Sequence, residues 1–368
     1  MSRENEIFTL DGSLLEGGGQ VVRICVAYSC MLKRKIRIIN IRANRDKPGL
    51  KPQHVCGLQL LRDIFQSELQ GDEIGSKEIL FHPNHEIKEE ELKTFIADTK
   101  TAGSISLLIQ ISLPPLLFSA PSPKSYLALP PRARKVILKG GTAVESAPPI
   151  DFFIEVFRPI VLREFGINFD VNITRRGYWP QGGGDVMLRV DPIVGRALNP
   201  LKIIDRGTFI SIKGRVNLSN MAKQVADKMI SGAIQTISGA MLTEINKIKP
   251  KIEVNIEKAI TKGSDILLWA ETSTGCIISG HSIFKKRQPP EEVGKLAADE
   301  LLNNIRHGGC VDEYLQDQLI IFMSLAEGKS QLVTGPITTH TITAIHFVEK
   351  MSGIKFPNFH LNHNNIYQ

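Results

Sequence analysis

Apolar residues recur along the chain with two different spacings, which predict helices and strands respectively. The segments 54–67 (HVCGLQLLRDIFQS) and 293–306 (VGKLAADELLNNIR) carry them every three or four positions, as amphipathic helices do. Shorter segments rich in β-branched residues predict strands at 135–140 (KVILKG), 167–174 (INFDVNIT) and 185–190 (DVMLRV). Because such helices and strands alternate, the pattern favours an α/β (α+β) fold.

Glycine runs mark several junctions between these segments. They occur at 17–19, 140–141, 182–184 and 308–309, and three of the four precede a predicted amphipathic helix. Glycine lets the backbone turn sharply and approach a ligand closely, and a helix N-terminus offers free N–H groups to an anion. Any single run is equally consistent with an ordinary strand-to-helix turn. Their repetition predicts repeated βαβ-type units that form one large domain.

The pattern changes between residues 191 and 285. No Gly-Gly pair occurs there, and a strand (TFISIKGRVNL), a long helix (MAKQVADKMISGAIQTIS) and two further strands (KIEVNIEKA, DILLWAETS) are predicted in that order. We therefore expect an inserted α/β module at 191–285, within a large domain made of residues 1–190 and 286–368.

Composition narrows the range of partners. The net charge is +7 and the pI about 9.1, which favours an anionic partner such as a nucleic acid or a nucleotide. The five cysteines include no CxxC pair, which argues against a disulfide framework or a thiolate zinc site and for a reducing compartment, the cytosol or nucleus. The most apolar stretch, 105–120, is interrupted by Pro114 and Pro115 and is too short to cross a bilayer. We read it as a buried helix followed by a loop, and expect no membrane association.

Two polar segments are suited to binding phosphate. DGSLLEGGGQVVR (11–23) places Glu16 and Arg23 around a glycine run, where Arg23 is placed to contact a phosphate and Glu16 a divalent metal or a hydroxyl. A capped helix with surface charges explains this segment equally well. IRANRDKPGLKPQH (41–54) concentrates Arg42, Arg45 and two lysines in a loop stiffened by proline, which favours a polyanion over a merely solvated basic loop.

Three further segments carry isolated candidates. Gln110 lies within an apolar helix, where a satisfied core amide is the commoner explanation. Tyr314, Asp317 and Gln318 share one helix face and are suited to hold an adenosine, although a plain polar face is a reasonable alternative. His340 follows a Gly-Pro turn in a threonine-rich segment, and composition alone does not distinguish it from the other histidines. The chain contains neither a P-loop nor a complete GxGxxG motif, so a nucleotide must bind in another way.

Taken in order, seven segments resemble the RNA 3′-terminal phosphate cyclase family from Asp11 to about Phe347. They are EGGGQVVR, IRANRDKPGLKPQH, TAGS…Q, GGT…SAPPIDF, RGYWPQGGG, DEYLQDQL and TTHTITAI. The resemblance implies a fold similar to that of the enolpyruvyl transferases. It also implies a reaction in which ATP, with Mg²⁺ or Mn²⁺, converts an RNA 3′-phosphate to a 2′,3′-cyclic phosphate and yields AMP and pyrophosphate.

The same resemblance assigns roles to matching positions. His340 matches the histidine that becomes adenylylated, and Glu16 matches an acid near the metal and ATP. The other implied ATP-site positions are Gln110, Pro148, Tyr314, Asp317 and Gln318. The implied positions around the phosphates and the RNA end are Arg23, Arg42, Arg45 and Gln53. Asn44 departs from the pattern, because glycine is common at this place in the family.

Two alternatives remain open from the sequence. A non-enzymatic, cyclase-like relative that assists ribosome assembly shares the fold but lacks the nucleophilic histidine, so the presence of His340 favours the enzyme. An enolpyruvyl transferase rests on fold similarity alone. The nucleoplasm is the expected location, with the cytosol as the alternative, while the natural RNA, protein partners and oligomeric state stay open.

Overall fold

The computed structural model describes residues 7–84, 94–118 and 133–357, and the backbone of residues 366 and 367. Most of the loop predicted after the apolar stretch 105–120 lies outside these residues. The described chain is a mixture of helices with several mixed sheets, which confirms the predicted α/β class. None of the described helices is long and apolar enough to cross a membrane.

The first repeated unit is a four-stranded sheet with two helices. Its elements are β1 (Phe8–Asp11), α1 (Gly19–Leu32), β2 (Ile36–Ile39), α2 (Pro52–Phe65), β3 (Glu68–Gln70) and β4 (Ile79–His82). The strand order is β1-β2-β4-β3, in which β1 and β2 are parallel and the other pairs antiparallel. The apolar residues of α1 and α2 face this sheet and form part of the main core.

The second unit repeats this topology. Its elements are β5 (Phe95–Asp98), α3 (Ile105–Leu117), β6 (Arg134–Gly140), α4 (Ile150–Phe152) with a π-helical turn (Phe153–Phe157), α5 (Arg158–Phe165), β7 (Phe169–Arg175) and β8 (Gly184–Val190). The order β5-β6-β8-β7 again has one parallel pair followed by two antiparallel pairs. The α3 helix continues through Pro114 and Pro115, which are buried in its last turn.

A third unit begins with a very short strand, after which the inserted module interrupts it. The strand is β9 (Lys202–Ile203). The module contains β10 (Phe209–Ser219), α6 (Lys223–Gly239), β11 (Lys251–Ile256), β12 (Gly263–Thr272), β13 (Ile277–Ile283) and α7 (Pro290–Arg306). Its sheet has the order β11-β10-β12-β13.

The third unit then resumes with α8 (Glu313–Met323), β14 (Gln331–Val333), α9 (Thr339–Ser352) and β15 (Ile366–Tyr367). The strand β14 pairs in parallel with β9 and antiparallel with β15, as the second strands β2 and β6 of the other units pair with their neighbours. Within the described residues, three units therefore share one strand pattern, and the module lies in the first crossover of the third.

The described residues form two separate hydrophobic cores, one in the three units and one in the inserted module. The main core draws residues from all three units, and the second core is formed by β10, β12, β13, α6 and α7. Because the apolar face of α7, which includes Val293 and Leu301, belongs to the second core, this core extends beyond the predicted module boundary at residue 285.

A buried polar network joins the module to the second unit. Arg176 forms an ion pair with Asp151 through both terminal nitrogens, and both side chains are almost completely buried. Asn217 of β10 donates to Asp151 at 3.1 Å and to Asp265 of β12 at 2.9 Å. The Tyr178 hydroxyl donates to Asp265 at 2.9 Å. These directional contacts fix the module against the large domain.

Candidate active site

Four helices begin next to one another at the centre of the large domain. Contacts between neighbouring N-termini connect α9 to α1, α1 to α2, and α2 to α3. Each helix N-terminus carries unpaired N–H groups and a partial positive charge, so their convergence produces a region suited to anions.

His340 lies in the first turn of α9 and faces the loop before α1. Its ring is 54% exposed, and its Nδ1 atom is 3.5 Å from Oε2 of Glu16. The backbone N–H of Glu16 donates to Oγ1 of Thr343, one turn further along α9, at 3.2 Å. These contacts place the Glu16 carboxylate beside Nδ1 and leave Nε2 as the nitrogen available to a ligand.

Gln316, a buried residue of α8, fixes the start of α9. Its side-chain oxygen accepts a hydrogen bond from the N–H of Thr338 at 3.1 Å and one from the hydroxyl of Thr341 at 2.5 Å. Its amide nitrogen donates to the carbonyl oxygen of Pro336 at 3.3 Å. The turn that carries His340 is therefore held on both sides of that residue.

The protein around the ring partly shields His340 from water, which lowers its pKa below the usual value, and the positive charges of Arg23 and Arg45 lower the pKa further. Both effects disfavour the imidazolium. A neutral imidazole has a free lone pair, so this environment preserves the nucleophilic form at neutral pH.

The basic loop between β2 and α2 contributes one cation to this cluster and buries another. Arg45 is 42% exposed and forms an ion pair with Glu16. Arg42 is buried, has a positive φ of 53°, and donates through Nη1 to the carbonyl oxygens of Lys47 and Gly49 at 2.8 and 2.7 Å. The structure thus gives Arg42 a role in holding the loop, and its contact with RNA stays a prediction.

Asn44 ties the same loop to the turn after β1. Its Nδ2 donates to the carbonyl oxygen of Ser13 at 3.0 Å, and its φ is not positive. The loop therefore needs no glycine at this position, because the side chain is used as a bridge and the backbone is not left-handed.

The glycine run before α1 leaves room for two functional side chains. A Cβ atom on Gly18 would lie 2.4 Å from Oε2 of Glu16, and one on Gly19 would lie 2.1 Å from Nε2 of His54. Any larger residue would displace the carboxylate or the imidazole. The candidate site, as well as the turn, therefore requires glycine at positions 18 and 19.

His54 itself is buried in the first turn of α2. Its Nδ1 accepts a hydrogen bond from the N–H of Lys51 at 3.0 Å, which leaves the proton on Nε2. Burial, together with the charges of Arg23, Arg42 and Lys51, lowers its pKa to about 3. His54 is thus a neutral donor directed at the glycine run. Its neighbour Gln53 accepts from the N–H of Ser104 at 3.1 Å and joins α2 to α3.

A small cavity with a volume of about 40 Å³ adjoins this cluster between α1, α3 and α8. The predicted residues that line it are Arg23, Gln110, Asp317 and Gln318. Gln20 lines it too and donates to Asp317 at 2.5 Å. The side-chain oxygens of Gln20 and Gln318 are buried and accept no hydrogen bond. Unpaired polar atoms of this kind are costly unless a ligand pairs with them.

Arg23 connects the cavity to the histidines. Burial lowers the pKa of its guanidinium to about 10, an effect that Asp317 partly offsets. Burial raises the pKa of Asp317 to about 7, although the charge of Arg23 opposes this rise. Arg23 forms no ion pair within 4 Å among the described residues. A largely buried cation without a close counter-ion is suited to bind an anion from solution.

Two predicted ATP-site residues lie elsewhere. The ring of Tyr314 packs against His281 and Phe152, with centroids 5.0 and 6.2 Å apart, and does not line the cavity. Pro148 is buried in the loop before α4 and does not line it either. Their roles in binding adenosine stay predictions.

The carboxylate of Glu16 fits one mode of metal binding. The described residues contain no group of three His, Cys, Asp or Glu side chains arranged to hold a metal. Oε2 of Glu16 is buried and accepts no hydrogen bond. Mg²⁺ is commonly held by one or two carboxylates together with substrate phosphates, and a single unsatisfied carboxylate oxygen is compatible with this arrangement.

The structure therefore brings together most of the predicted residues and adds three. Glu16, Arg23, Arg45 and His340 form one cluster, and Gln110, Asp317 and Gln318 line the adjoining cavity. Sequence reasoning did not assign Gln20, His54 or Gln316 to the site. The proline at the first position of α2 indicates a helix start near His54, but nothing in the sequence shows which helix lies opposite.

Comparison with known proteins gives a consistent result along the whole chain. A family model described as RNA 3′-terminal phosphate cyclase matches residues 14–357. A Dictyostelium discoideum protein named probable RNA 3′-terminal phosphate cyclase is 39% identical and covers 96% of this chain and 78% of its own. Proteins named RNA 3′-terminal phosphate cyclase from Drosophila melanogaster (36% identical, 95% and 92% covered) and Pyrococcus furiosus (34%, 94% and 94%) are similar over comparable lengths.

Proposed function

The chain belongs to the RNA 3′-terminal phosphate cyclase family, whose members are ligase-type enzymes, and from this premise we propose that it cyclises RNA 3′-phosphates at the expense of ATP through an adenylylated His340. The observation that carries the proposal is the neutral, exposed imidazole of His340 beside Glu16 and the charges of Arg23 and Arg45.

In the first step, Nε2 of His340 attacks the α-phosphorus of ATP and expels pyrophosphate. The Glu16 carboxylate beside Nδ1 favours the tautomer with its proton on Nδ1 and stabilises the positive charge that develops on the ring. Arg23 and Arg45 are placed to neutralise the phosphates of the bound nucleotide. When bound, a divalent metal, Mg²⁺ or Mn²⁺, held by Glu16 and phosphate oxygens would supply further charge neutralisation.

In the second step, the RNA 3′-phosphate attacks the phosphorus of the histidine-bound AMP, which restores free His340 and gives an RNA–AMP anhydride. In the third step, the neighbouring 2′-hydroxyl attacks the RNA phosphorus, loses its proton and expels AMP. The hydroxyl is already held next to its target, so its effective concentration is high. This step requires a ribose, which makes RNA the cyclisable substrate.

We propose that the adenosine of ATP lies next to the histidine, with the polar residues of the small cavity at one edge of its site. The buried amide oxygens of the cavity and the carboxyl of Asp317 offer acceptors and, at neutral pH, a donor to a nucleoside. Burial leaves Asp317 with a pKa of about 7, so both forms of the acid are present.

We propose the nucleoplasm as the place of action.

The test is conversion of an oligoribonucleotide 3′-phosphate to a product that resists alkaline phosphatase, in the presence of ATP and Mg²⁺. The expected result is one AMP and one pyrophosphate per cyclised end, and none with His340→Asn. An otherwise identical oligonucleotide with a terminal 2′-deoxyribose is the matched control and should not cyclise. A wild-type protein that neither cyclises RNA nor binds AMP covalently would favour the non-enzymatic relative. Turnover of phosphoenolpyruvate would favour an enolpyruvyl transferase.

A further inference from the structure

A second cleft lies between the inserted module and the second unit, and it contains an exposed tryptophan. It has a volume of about 720 Å³. Its walls include Ala102, Val144, Trp179, Met221 and Phe284. The side chain of Trp179 is 79% exposed, which is unusual for the residue with the largest apolar surface.

The backbone that carries Trp179 is held on both sides. The preceding residue, Tyr178, is buried, and its hydroxyl donates to Asp265 of the module at 2.9 Å. The Tyr178 carbonyl oxygen accepts from the N–H of Gly182 at 2.8 Å and from the hydroxyl of Thr261 at 3.2 Å. The indole is therefore displayed on a fixed turn, which reduces the entropy lost when a planar ligand stacks on it.

The charges around the cleft favour an anionic occupant. Lys262, Lys285 and Lys286 line it and are exposed. Lys285 pairs with Glu145 at 2.8 Å, whereas Lys262 and Lys286 form no ion pair within the described part of the chain. An exposed aromatic ring between free cations is the arrangement that binds single-stranded nucleic acid, because bases stack and phosphates pair with lysine.

The wall of the cleft packs against the loop before α3, which also contacts the active-site cluster. A Cβ atom on Gly182 would lie 2.2 Å from the carbonyl oxygen of Thr101, so the Trp179 turn packs directly on the loop before α3. Three residues further along, the N–H of Ser104 donates to Gln53 at the start of α2. A strand of RNA whose 3′ end lies at the cluster would therefore pass the N-terminus of α3 to enter the cleft.

We propose that this cleft binds the single-stranded nucleotides that precede the RNA 3′-phosphate, with one base stacked on Trp179 and backbone phosphates beside Lys262 and Lys286. The inference rests on the proposed function, since it takes the RNA end to lie at His340. It assigns Trp179 to substrate binding and gives the enzyme a preference for longer, unpaired 3′ ends.

Tryptophan fluorescence provides a test that does not depend on catalysis. The chain has two tryptophans, and Trp269 is only 5% exposed within the module. In Trp269→Phe the emission comes from Trp179 alone, and an oligoribonucleotide with a 3′-hydroxyl, which cannot be cyclised, should quench it. Quenching should weaken as the salt concentration rises. Absence of quenching at oligonucleotide concentrations that saturate cyclisation would overturn the proposal.

Kinetics with substrates of two lengths provide the second test. Trp179→Ala should raise the KM for a ten-nucleotide 3′-phosphate by roughly 5- to 150-fold, because loss of one stacked base costs about 1–3 kcal/mol. Trp179→Phe is the matched control and should keep most of the affinity. A nucleoside 3′-phosphate, which cannot reach the cleft, should show the same KM with both variants.

The outcomes separate the two proposals. An equal effect on long and short substrates, or none on either, would overturn the cleft assignment. A raised KM for ATP in enzyme adenylation, measured without RNA, would overturn it in favour of an adenine site. If the wild type shows no adenylation, the proposed function fails, whereas quenching by the oligonucleotide would still support the cleft as an RNA site.

Discussion

Replacement of Arg23 by methionine should stabilise the free protein while it strongly weakens nucleotide binding. The guanidinium pKa is lowered from 12.5 to about 10 by burial, in spite of the nearby Asp317. Each pKa unit is worth about 1.4 kcal/mol, so the charged form is disfavoured in the folded state by roughly 3 kcal/mol. Because pH 7 lies below both the folded and the unfolded pKa, this whole cost is present at neutral pH.

Arg23→Met should regain only part of the free energy that the buried charge costs the folded state. Asp317 loses the attraction of Arg23, but its pKa is already about 7, so it can take up a proton at little expense. Methionine keeps a stem of similar length against Leu113 and Phe153, which also line the cavity. We therefore expect the free energy of unfolding of Arg23→Met to rise by about 1–2 kcal/mol, with a melting temperature a few degrees higher.

Thermal unfolding with and without ATP and Mg²⁺ measures both the stability of the free protein and its binding of nucleotide. ATP should stabilise the wild type by binding the folded state, but should not stabilise Arg23→Met, whose adenylation should be about 100-fold slower. Arg62→Met is the matched control, because Arg62 is 39% exposed on α2 and pairs with the exposed Asp63 and, at 3.5 Å, with the partly buried Asp72. Its stability should change by less than about 0.5 kcal/mol. An Arg23→Met protein that is less stable than the wild type, or that ATP still stabilises, would refute the reasoning.

Three further substitutions test other parts of the account. Arg45→Met should move the acid limb of the pH profile for adenylation to higher pH, because the charge of Arg45 lowers the pKa of His340; an unmoved limb would show that this charge does not act on the ring. Arg42→Ala should weaken cyclisation while adenylation is largely kept, and should lower the urea midpoint because two loop carbonyls lose their donor. Equal loss of both steps would refute the RNA assignment of Arg42. Arg176→Met should lower the free energy of unfolding by about 3 kcal/mol, because it leaves the fully buried Asp151 without this partner. Adding Asp151→Asn to the same chain should restore part of this loss. Additive losses in the double variant would contradict the pairing.

The fold was largely predictable because most strands and helices are long enough to carry a period. The β-branched runs gave β6, β7 and β8, and the amphipathic runs gave α2 and α7. The third unit escaped prediction for a physical reason. Its strands β9 and β15 have two residues each, too few to show alternation, and the inserted module separates β9 from the strand that pairs with it.

Proline and glycine patterns were less reliable guides to boundaries. The α3 helix passes through Pro114 and Pro115, because its last turn is buried in the main core and packing outweighs the lost hydrogen bonds. The module was expected to end at residue 285, yet α7 packs within its core. The change from module to third unit occurs after α7, at the glycine pair 308–309.

The candidate site could be predicted as a set of residues but not as an arrangement. Arg42 and Arg45 are three positions apart in one loop, and nothing in their sequence shows that the first is buried against carbonyl oxygens while the second reaches Glu16. The composition around His340 does not distinguish it from His54. Only the tertiary structure separates them, because α2 packs the His54 ring against Gly19 while α9 leaves the His340 ring 54% exposed beside Glu16.

The most direct test of the account is to locate the AMP that becomes covalently bound when the protein is incubated with ATP and Mg²⁺ in the absence of RNA. After digestion under mildly alkaline conditions, which preserve phosphorus–nitrogen bonds to histidine, mass spectrometry should find AMP on the peptide that contains residue 340, attached to His340. His340→Asn should carry none. AMP on another residue, or an undiminished adduct in His340→Asn, would contradict the central claim.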